Sequence, residues 1–216
     1  KRIPKQIIVN ADDEHAPYFA HFPADVHGAF GWRHHVGDGI YAQEISRDAD
    51  GAQVAIQDIP VYWHLSAHFS RLNALAAVAV VHACDFPLAD VVRASEKLRD
   101  VAGRFERILA GQPFTVIVDY AYEPYALRAL FASLPPHSGR IIGVHGSAGG
   151  GRDKARRPLI GAVAAEHEDV VIVTNEDPYD ENPQAIIAAV AAGAKEKGKK
   201  EGENLFEIPD RGEAIY

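Results

Sequence analysis

The sequence has a single cysteine, no methionine and no apolar run long enough to cross a bilayer. Cys84 alone can form neither an internal disulfide nor a thiolate metal site, and no secretory leader is recognisable, so a reducing cytoplasm is the expected location. The longest apolar candidate, Leu72 to Cys84, is ended by Asp85, short of the roughly 20 residues that a membrane helix needs, and no membrane partner is expected. Cations are scarce as well: 22 Lys and Arg against 30 Asp and Glu leave a formal charge of -8. A nucleic-acid surface needs the opposite balance to displace counterions from phosphates, so nucleic acid is excluded as a partner and any anionic ligand must be held locally. Neither a Walker phosphate loop nor a zinc-ligand spacing is present, and no Ser/His/Asp arrangement has the context of a nucleophile. A chain that lacks methionine and begins at Lys1 is expected to be a piece of a longer one.

What is present is globular. Apolar residues make up 47% and charged residues 24% of 216 positions, enough for a sizeable core in one or two domains. Gln6 to Val9 is a β-rich run that stops at Asn10-Ala11-Asp12-Asp13, a turn and cap cluster. From Ala24 to Leu65 short alternating stretches, including Tyr41 to Ile45 and Gln53 to Ile56, are separated by Gly39, Asp48, Gly51 and Pro60, which predicts an antiparallel meander. Ser70 stands where an N-cap would, with Leu72, Leu75, Ala76, Ala79 and Val80 following at helical spacing. Pro87 opens a second helix.

After Gly103 the pattern changes to alternating strand and helix, the mark of a parallel α/β sheet wrapped by crossover helices. Strands are expected at Thr115 to Val118, Arg140 to Val144, Val170 to Val173 and Leu205 to Ile208. Helices are expected at Tyr125 to Leu134, Pro158 to Glu166 and Pro183 to Ala194, and Lys195 to Glu203 reads as a solvated helix end and loop.

Ligands of such sheets bind at the carboxyl ends of the strands, so the loops there are the places to look for function. The first carries Asp119, Tyr120, Tyr122, Glu123 and Pro124. The second runs His145-Gly146-Ser147-Ala148-Gly149-Gly150-Gly151-Arg152-Asp153, and the third Asn175-Glu176-Asp177-Pro178-Tyr179-Asp180. Three polar loops are expected to converge on one edge. The glycine loop does not match G-x-G-x-x-G, and Lys154, Arg156 and Arg157 follow where an apolar helix turn would be expected; the alternative is a turn with solvated basic residues. His34-His35 is a poor metal pair, because neighbours on a strand point to opposite faces. Asp12-Asp13 suits a ribose or magnesium contact, or simply a turn.

These segments, taken in order, resemble the Mur ligase family, most closely its members that add the third amino acid to the cell-wall precursor. Ile8-Val9-Asn10-Ala11-Asp12-Asp13 resembles the family's V-N-A-D-D segment, and His68 to Ala77 its G-x-F-N-x-x-N-A-x-A-A segment. Gly103-Arg104-Phe105-Glu106-Arg107 is similar to G-R-M-E-x, and Asp119-Tyr120-Ala121 to the start of D-Y-A-H-T-P. Gly149 to Pro158 is similar to G-G-D-R-D-x-x-K-R-P, and Glu176-Asp177-Pro178 to the D-N-P box.

The resemblance implies an α/β chain in two parts: residues 1–102 as the second half of a central ATPase domain and 103–216 as a truncated Rossmann-like carboxy-terminal domain. It implies an ATP-dependent amide ligase acting on a UDP-N-acetylmuramoyl-peptide and an amino acid through an acyl phosphate, as a monomer. ATP and magnesium are the implied cofactors. The phosphate loop, the magnesium ligands and a carbamylated lysine are expected upstream of Lys1, and a K-G-H-E segment beyond Tyr216, so the fragment alone is expected to be inactive.

By the same resemblance Asn73 would touch the adenine, and Arg104 and Asp119 would reach ATP. Arg152 would bind the carboxylate of the incoming amino acid, with Glu176 and Asp177 toward its amine and side chain. The implied acceptor is lysine, diaminopimelate or a similar diamino acid; Tyr179 falls where diaminopimelate-adding members carry the arginine that pairs with that substrate's distal carboxylate, which makes lysine or another diamino acid at least as fitting as diaminopimelate. Ser70 and Tyr122-Glu123 depart from the family pattern. Two other readings remain open: a related ligase such as a folylpolyglutamate or cyanophycin synthetase, and a non-catalytic nucleotide- or amino-acid-binding module.

Overall fold

The structure is a computed structural model and describes residues 4–35, 37–48, 50–136 and 139–216. It divides into two compact units, Lys1–Asp119 and Tyr120–Tyr216.

The first unit begins with β1 (Gln6–Asn10), α1 (Ala16–Ala20), β2 (Val26–Gly31), β3 (Ile40–Arg47), β4 (Ala52–Ile56) and β5 (Ile59–Trp63). Helices α2 (His68–Ala83) and α3 (Leu88–Ser95) follow, then β6 (Glu106–Ile108) and β7 (Val116–Val118). Strands β1 to β5 form one sheet in sequence order. The alternating residues of β4, with Ala52, Val54 and Ile56 fully buried, face α2 and α3 through Leu75, Val78 and Val92. Trp63 lies at the centre of this core, and its indole N–H donates to Ser95 Oγ at 2.8 Å.

The predicted meander holds only in part. β3–β4–β5 is antiparallel, but β2 pairs in parallel with both β1 and β3. Alternation identifies a strand and its buried face; it carries no information on direction, which the connections decide. The cap at Ser70 is also displaced. α2 begins at His68 behind an extended Ala67, so Ser70 lies inside its first turn. Next to it, Arg71 is buried and donates to the carbonyls of Leu65 and Ser66 and to Glu44, so this cation braces the helix start. Asp12 is likewise used by the fold. Its carboxylate accepts the consecutive amide N–H groups of Trp32, Arg33 and His34 at 2.6, 2.9 and 2.9 Å. Burial would raise its pKa, but these donors together outweigh burial and hold the carboxyl below its ordinary value.

Unit two contains α4 (Pro124–Ser133), β8 (Ile142–His145), α5 (Arg156–His167), β9 (Val170–Val173), α6 (Pro183–Glu196), β10 (Leu205–Glu207) and α7 (Arg211–Ile215). Its sheet has the order β10–β9–β8, parallel throughout. Successive right-handed crossovers that step in one direction put both helices on one face, where α5 and α6 pack against each other and against β9. They approach so closely that a Cβ at Gly161 would stand 1.9 Å from the Val190 carbonyl oxygen. The expectation that Thr115 to Val118 opens this sheet is corrected: β7 pairs antiparallel with β6 in a separate two-stranded sheet. The Lys195 to Glu203 run is a solvated helix end and loop, as expected: α6 ends at Glu196 and every residue of the run but Lys199 is exposed. Lys195 bridges Glu201 and Glu207, each at 2.9 Å.

Candidate functional site

In the second unit two of the polar loops leave adjacent parallel strands at their carboxyl ends. The loop after β8 and the loop after β9 start side by side, tied by the Thr174 N–H to the His145 carbonyl at 2.8 Å. Beneath this tie His145 Nε2 meets the buried Glu168 carboxylate at 2.6 Å. Further out, the Gly149 N–H donates to the Asp177 carbonyl at 3.0 Å. A Cβ on Gly149 would lie 2.2 Å from the Pro178 carbonyl oxygen, so only glycine allows this approach. At the tips Arg152 donates to the Gly149 carbonyl at 3.2 Å and lies over the Tyr179 ring, 5.3 Å from its centroid. The structure therefore brings Arg152, Glu176, Asp177 and Tyr179 together on two neighbouring loops.

The loop after β9 is held in an uncommon conformation. Asp177 and Tyr179 have φ of 26° and 54°, which L-residues adopt only where the surroundings impose it, and such positions gather at ligand sites. The end of this loop is anchored by a set of ion pairs. Arg157, buried, grips Glu181 with both terminal nitrogens at 3.1 Å, and Lys154 reaches the same carboxylate at 2.8 Å. The Arg157 hydrogen bond, followed by that of Lys154, lowers the Glu181 pKa to about 2. The N-cap of α6 completes the turn, as Asn182 Oδ1 accepts from the N–H groups of Gln184 and Ala185.

The third loop is joined by side chains. Arg156, also buried, pairs with Glu123 at 2.7 Å and lies over the Tyr122 ring at 5.0 Å. The alternative of a turn with solvated basic residues does not hold for Arg156 and Arg157, which are buried clamp residues. The departure Tyr122-Glu123 has its counterpart in Arg156, which both of those side chains engage. Arg211 was also missed. It stands at the start of α7 and donates through Nε and Nη2 to the Asn175 carbonyl at 3.2 and 3.0 Å. A lone arginine behind a helix-capping Asp210 gave no signal of this in the sequence.

The other three candidates lie in the first unit. Asn73 is exposed on α2, one turn after Phe69, whose ring meets Phe105 edge-on at 6.0 Å. Asp119 accepts the Phe105 N–H at 2.7 Å, and Arg104 adjoins Phe105 in the turn that this bond closes. Phe105 has φ of 51°, so the turn at 103–105 is tightly shaped and Asp119 fastens it to the end of β7. Helix α2, Arg104 and Asp119 thus meet around the Phe69–Phe105 contact. Among the described residues no group of three His, Cys, Asp or Glu could hold a metal ion, and no helix is long and apolar enough to cross a membrane. His34 contacts Asp12 at 3.3 Å and His35 stacks on Tyr41, so the adjacent histidines serve different partners.

A parallel three-stranded sheet with α5 and α6 packed on it and polar loops at the strand ends is a domain of the Rossmann-like class. Comparison with known proteins makes the family explicit. Residues 103–216 match the model "Mur ligase, glutamate ligase domain". The chain is 41% identical over 216 residues to a UDP-N-acetylmuramyl-tripeptide synthetase of Roseiflexus sp. (strain RS-1), an alignment that covers 98% of this chain and 42% of that protein. It is 34% identical to the UDP-N-acetylmuramoyl-L-alanyl-D-glutamate--2,6-diaminopimelate ligase of Geobacillus kaustophilus, over 100% of this chain and 44% of that one. Among solved structures, MurF from Acinetobacter baumannii shares the fold with a TM-score of 0.70 at 22% identity, over 97% of this chain and 44% of that one. The chain belongs to the Mur ligase family, and it spans less than half the length of these relatives.

Proposed function

We propose that this chain is the amino-acid-receiving and ATP-contacting portion of a UDP-N-acetylmuramoyl-tripeptide synthetase, a cytoplasmic ATP-dependent ligase of peptidoglycan synthesis. Residues 1–102 then belong to the central ATPase domain and 103–216 to the carboxy-terminal domain. In the reaction the carboxylate of the precursor peptide is phosphorylated, with ADP formed. The amine of the incoming amino acid attacks the acyl carbon, and phosphate leaves as the amide bond forms. The protein's part in such a reaction is positioning and charge stabilisation.

The observation that carries the reading is the pairing of the loops after β8 and β9 through the Gly149 N–H and the Asp177 carbonyl, with the Arg152 guanidinium over the Tyr179 ring. A cation and carboxylates carried on two paired loops complement an amino acid: Arg152 takes the α-carboxylate, and Glu176 and Asp177 take the amine and the side chain. Lysine, diaminopimelate or a similar diamino acid fits this arrangement. In the first unit Asn73 is assigned to the adenine and Arg104 and Asp119 to ATP. Asn73 is exposed, and one Asp119 oxygen is engaged by the Phe105 amide. Magnesium ligands are assigned to the segment upstream.

The test joins the chain to an upstream segment that carries a phosphate loop and measures ADP release. Release that depends on both precursor and diamino acid is expected, with none from the chain alone. Failure with every diamino acid tried, or release with glutamate and a folate, would refute the assignment. Calorimetry of the chain itself should detect lysine or diaminopimelate binding that Arg152→Ala abolishes.

A further inference from the structure

We propose that Arg211 is a positioning residue of the amino-acid site, which sets the Glu176 carboxylate for the amine of the incoming amino acid. This rests on the reading of Glu176 given above. Arg211 comes from the segment after β10, a third strand end that the two-loop site does not otherwise include. Its guanidinium grips the backbone at the root of the Glu176 loop, with Nε and Nη2 both on the Asn175 carbonyl at 3.2 and 3.0 Å. The same Nη2 lies 3.9 Å from Glu176 Oε2. One planar group therefore orients both the peptide before Glu176 and the carboxylate itself, which a lysine ammonium could not do.

The surroundings leave this group few alternatives. Gly146 at the end of β8 forms the floor: a Cβ there would stand 2.6 Å from Glu176 Cβ and 3.0 Å from Arg211 Nη2. The Glu176 stem and the guanidinium thus rest on a residue with no side chain. The backbone behind Arg211 is fixed as well. Asp210 Oδ1 accepts the Glu213 N–H, and the Pro209 carbonyl receives the Thr174 hydroxyl and the Asn175 N–H, both at 3.4 Å. Arg211 is half exposed and Glu176 less so, which places the pair at the rim of the site where a ligand amine can enter.

The chain is prepared with Arg211→Ala, Arg211→Lys, Glu176→Gln and the Arg211→Ala/Glu176→Gln pair. Each is titrated with lysine and with 6-aminohexanoate, which keeps the carboxylate and distal amine and lacks the α-amine. Amide hydrogen exchange is followed in the absence of ligand. Arg211→Ala is expected to weaken lysine about tenfold, the loss of one charge-assisted contact, and to leave 6-aminohexanoate within about twofold. Arg211→Lys should recover only part of this loss, and the double variant should be no weaker than Glu176→Gln alone, since both act through one carboxylate. Exchange should quicken at the amides of Asn175 and Gly149, with the α5 and α6 amides unchanged. Equal weakening of both ligands, additive losses in the double variant, or unaltered exchange at Asn175 and Gly149 would each overturn the proposal. Should the unsubstituted chain bind neither lysine nor diaminopimelate, the amino-acid site itself falls and the amine role with it. The exchange measurement then still decides whether Arg211 holds the loop.

Discussion

Gly149→Ala probes the contact that makes one site from two loops, and the structure supplies a matched control. A new Cβ would sit 2.2 Å from the Pro178 carbonyl oxygen, so the loops must open by more than 1 Å to reach ordinary contact. Overpacking of this kind costs about 1–3 kcal/mol, or a fall of roughly 0.5–1.5 M in the urea midpoint for a slope near 2 kcal/mol/M. The opening also breaks the Gly149 hydrogen bond to Asp177 and draws the Tyr179 ring from Arg152. Together these losses amount to about 1–2.5 kcal/mol, or roughly 5- to 70-fold in affinity for a diamino acid.

Gly161→Ala creates a similar clash, 1.9 Å from the Val190 carbonyl oxygen, but between α5 and α6. There the helix regains about 1 kcal/mol of propensity, so its stability loss is no larger. Urea denaturation and calorimetry of both variants separate packing from site geometry. Gly149→Ala should weaken ligand binding at least fivefold more than Gly161→Ala. Equal weakening by the two would show that the loop contact does not shape the site.

Ser95→Ala removes the acceptor of the Trp63 indole N–H and leaves a buried donor unsatisfied, so thermal or urea unfolding of the first unit should show a loss of about 1–3 kcal/mol. Tyr179→Ala removes the aromatic face under Arg152 and should weaken diamino-acid binding about 2- to 5-fold, with Tyr179→Phe close to the parent chain by calorimetry. In acid, Glu166 and Glu181 both have pKa values lowered to about 2, the first by Lys197 and then Arg128, the second by Arg157 and then Lys154. Carboxylates with depressed values stabilise the fold above their unfolded pKa near 4.5, and that contribution is lost as pH falls from there toward 2. Equilibrium unfolding should therefore show second-unit stability declining across that window, more steeply than in a Glu166→Gln/Glu181→Gln variant; identical slopes would contradict the pairing.

The alternation of strand and helix after residue 140 was legible from periodicity alone, and β8, α5, β9, α6 and β10 fall within a few residues of their expected places. Apolar spacing, Pro at helix starts and the turn residues between them are local signals, and local signals survive in a linear string. The polar loops at the strand ends, with Arg152, Glu176, Asp177 and Tyr179, were legible for the same reason: a parallel sheet directs its carboxyl ends one way whatever the details of packing.

Direction and partnership were not legible. β7 reads as a strand, but its antiparallel bond to β6 depends on where the chain turns back, and the parallel pairing of β2 depends on the connections on either side. The string Lys154 to Arg157 resembles a solvated basic run, because nothing in it states that Glu123 and Glu181, 33 and 24 residues away, arrive to neutralise Arg156 and Arg157. Arg211 joins the site only because β10 lies beside β9, which brings its segment to Asn175 and Glu176. The sequence by itself determined most of the elements and the family pattern. Tertiary structure alone decided which charges are buried and paired, since that depends on contacts between residues far apart in the chain and close in space.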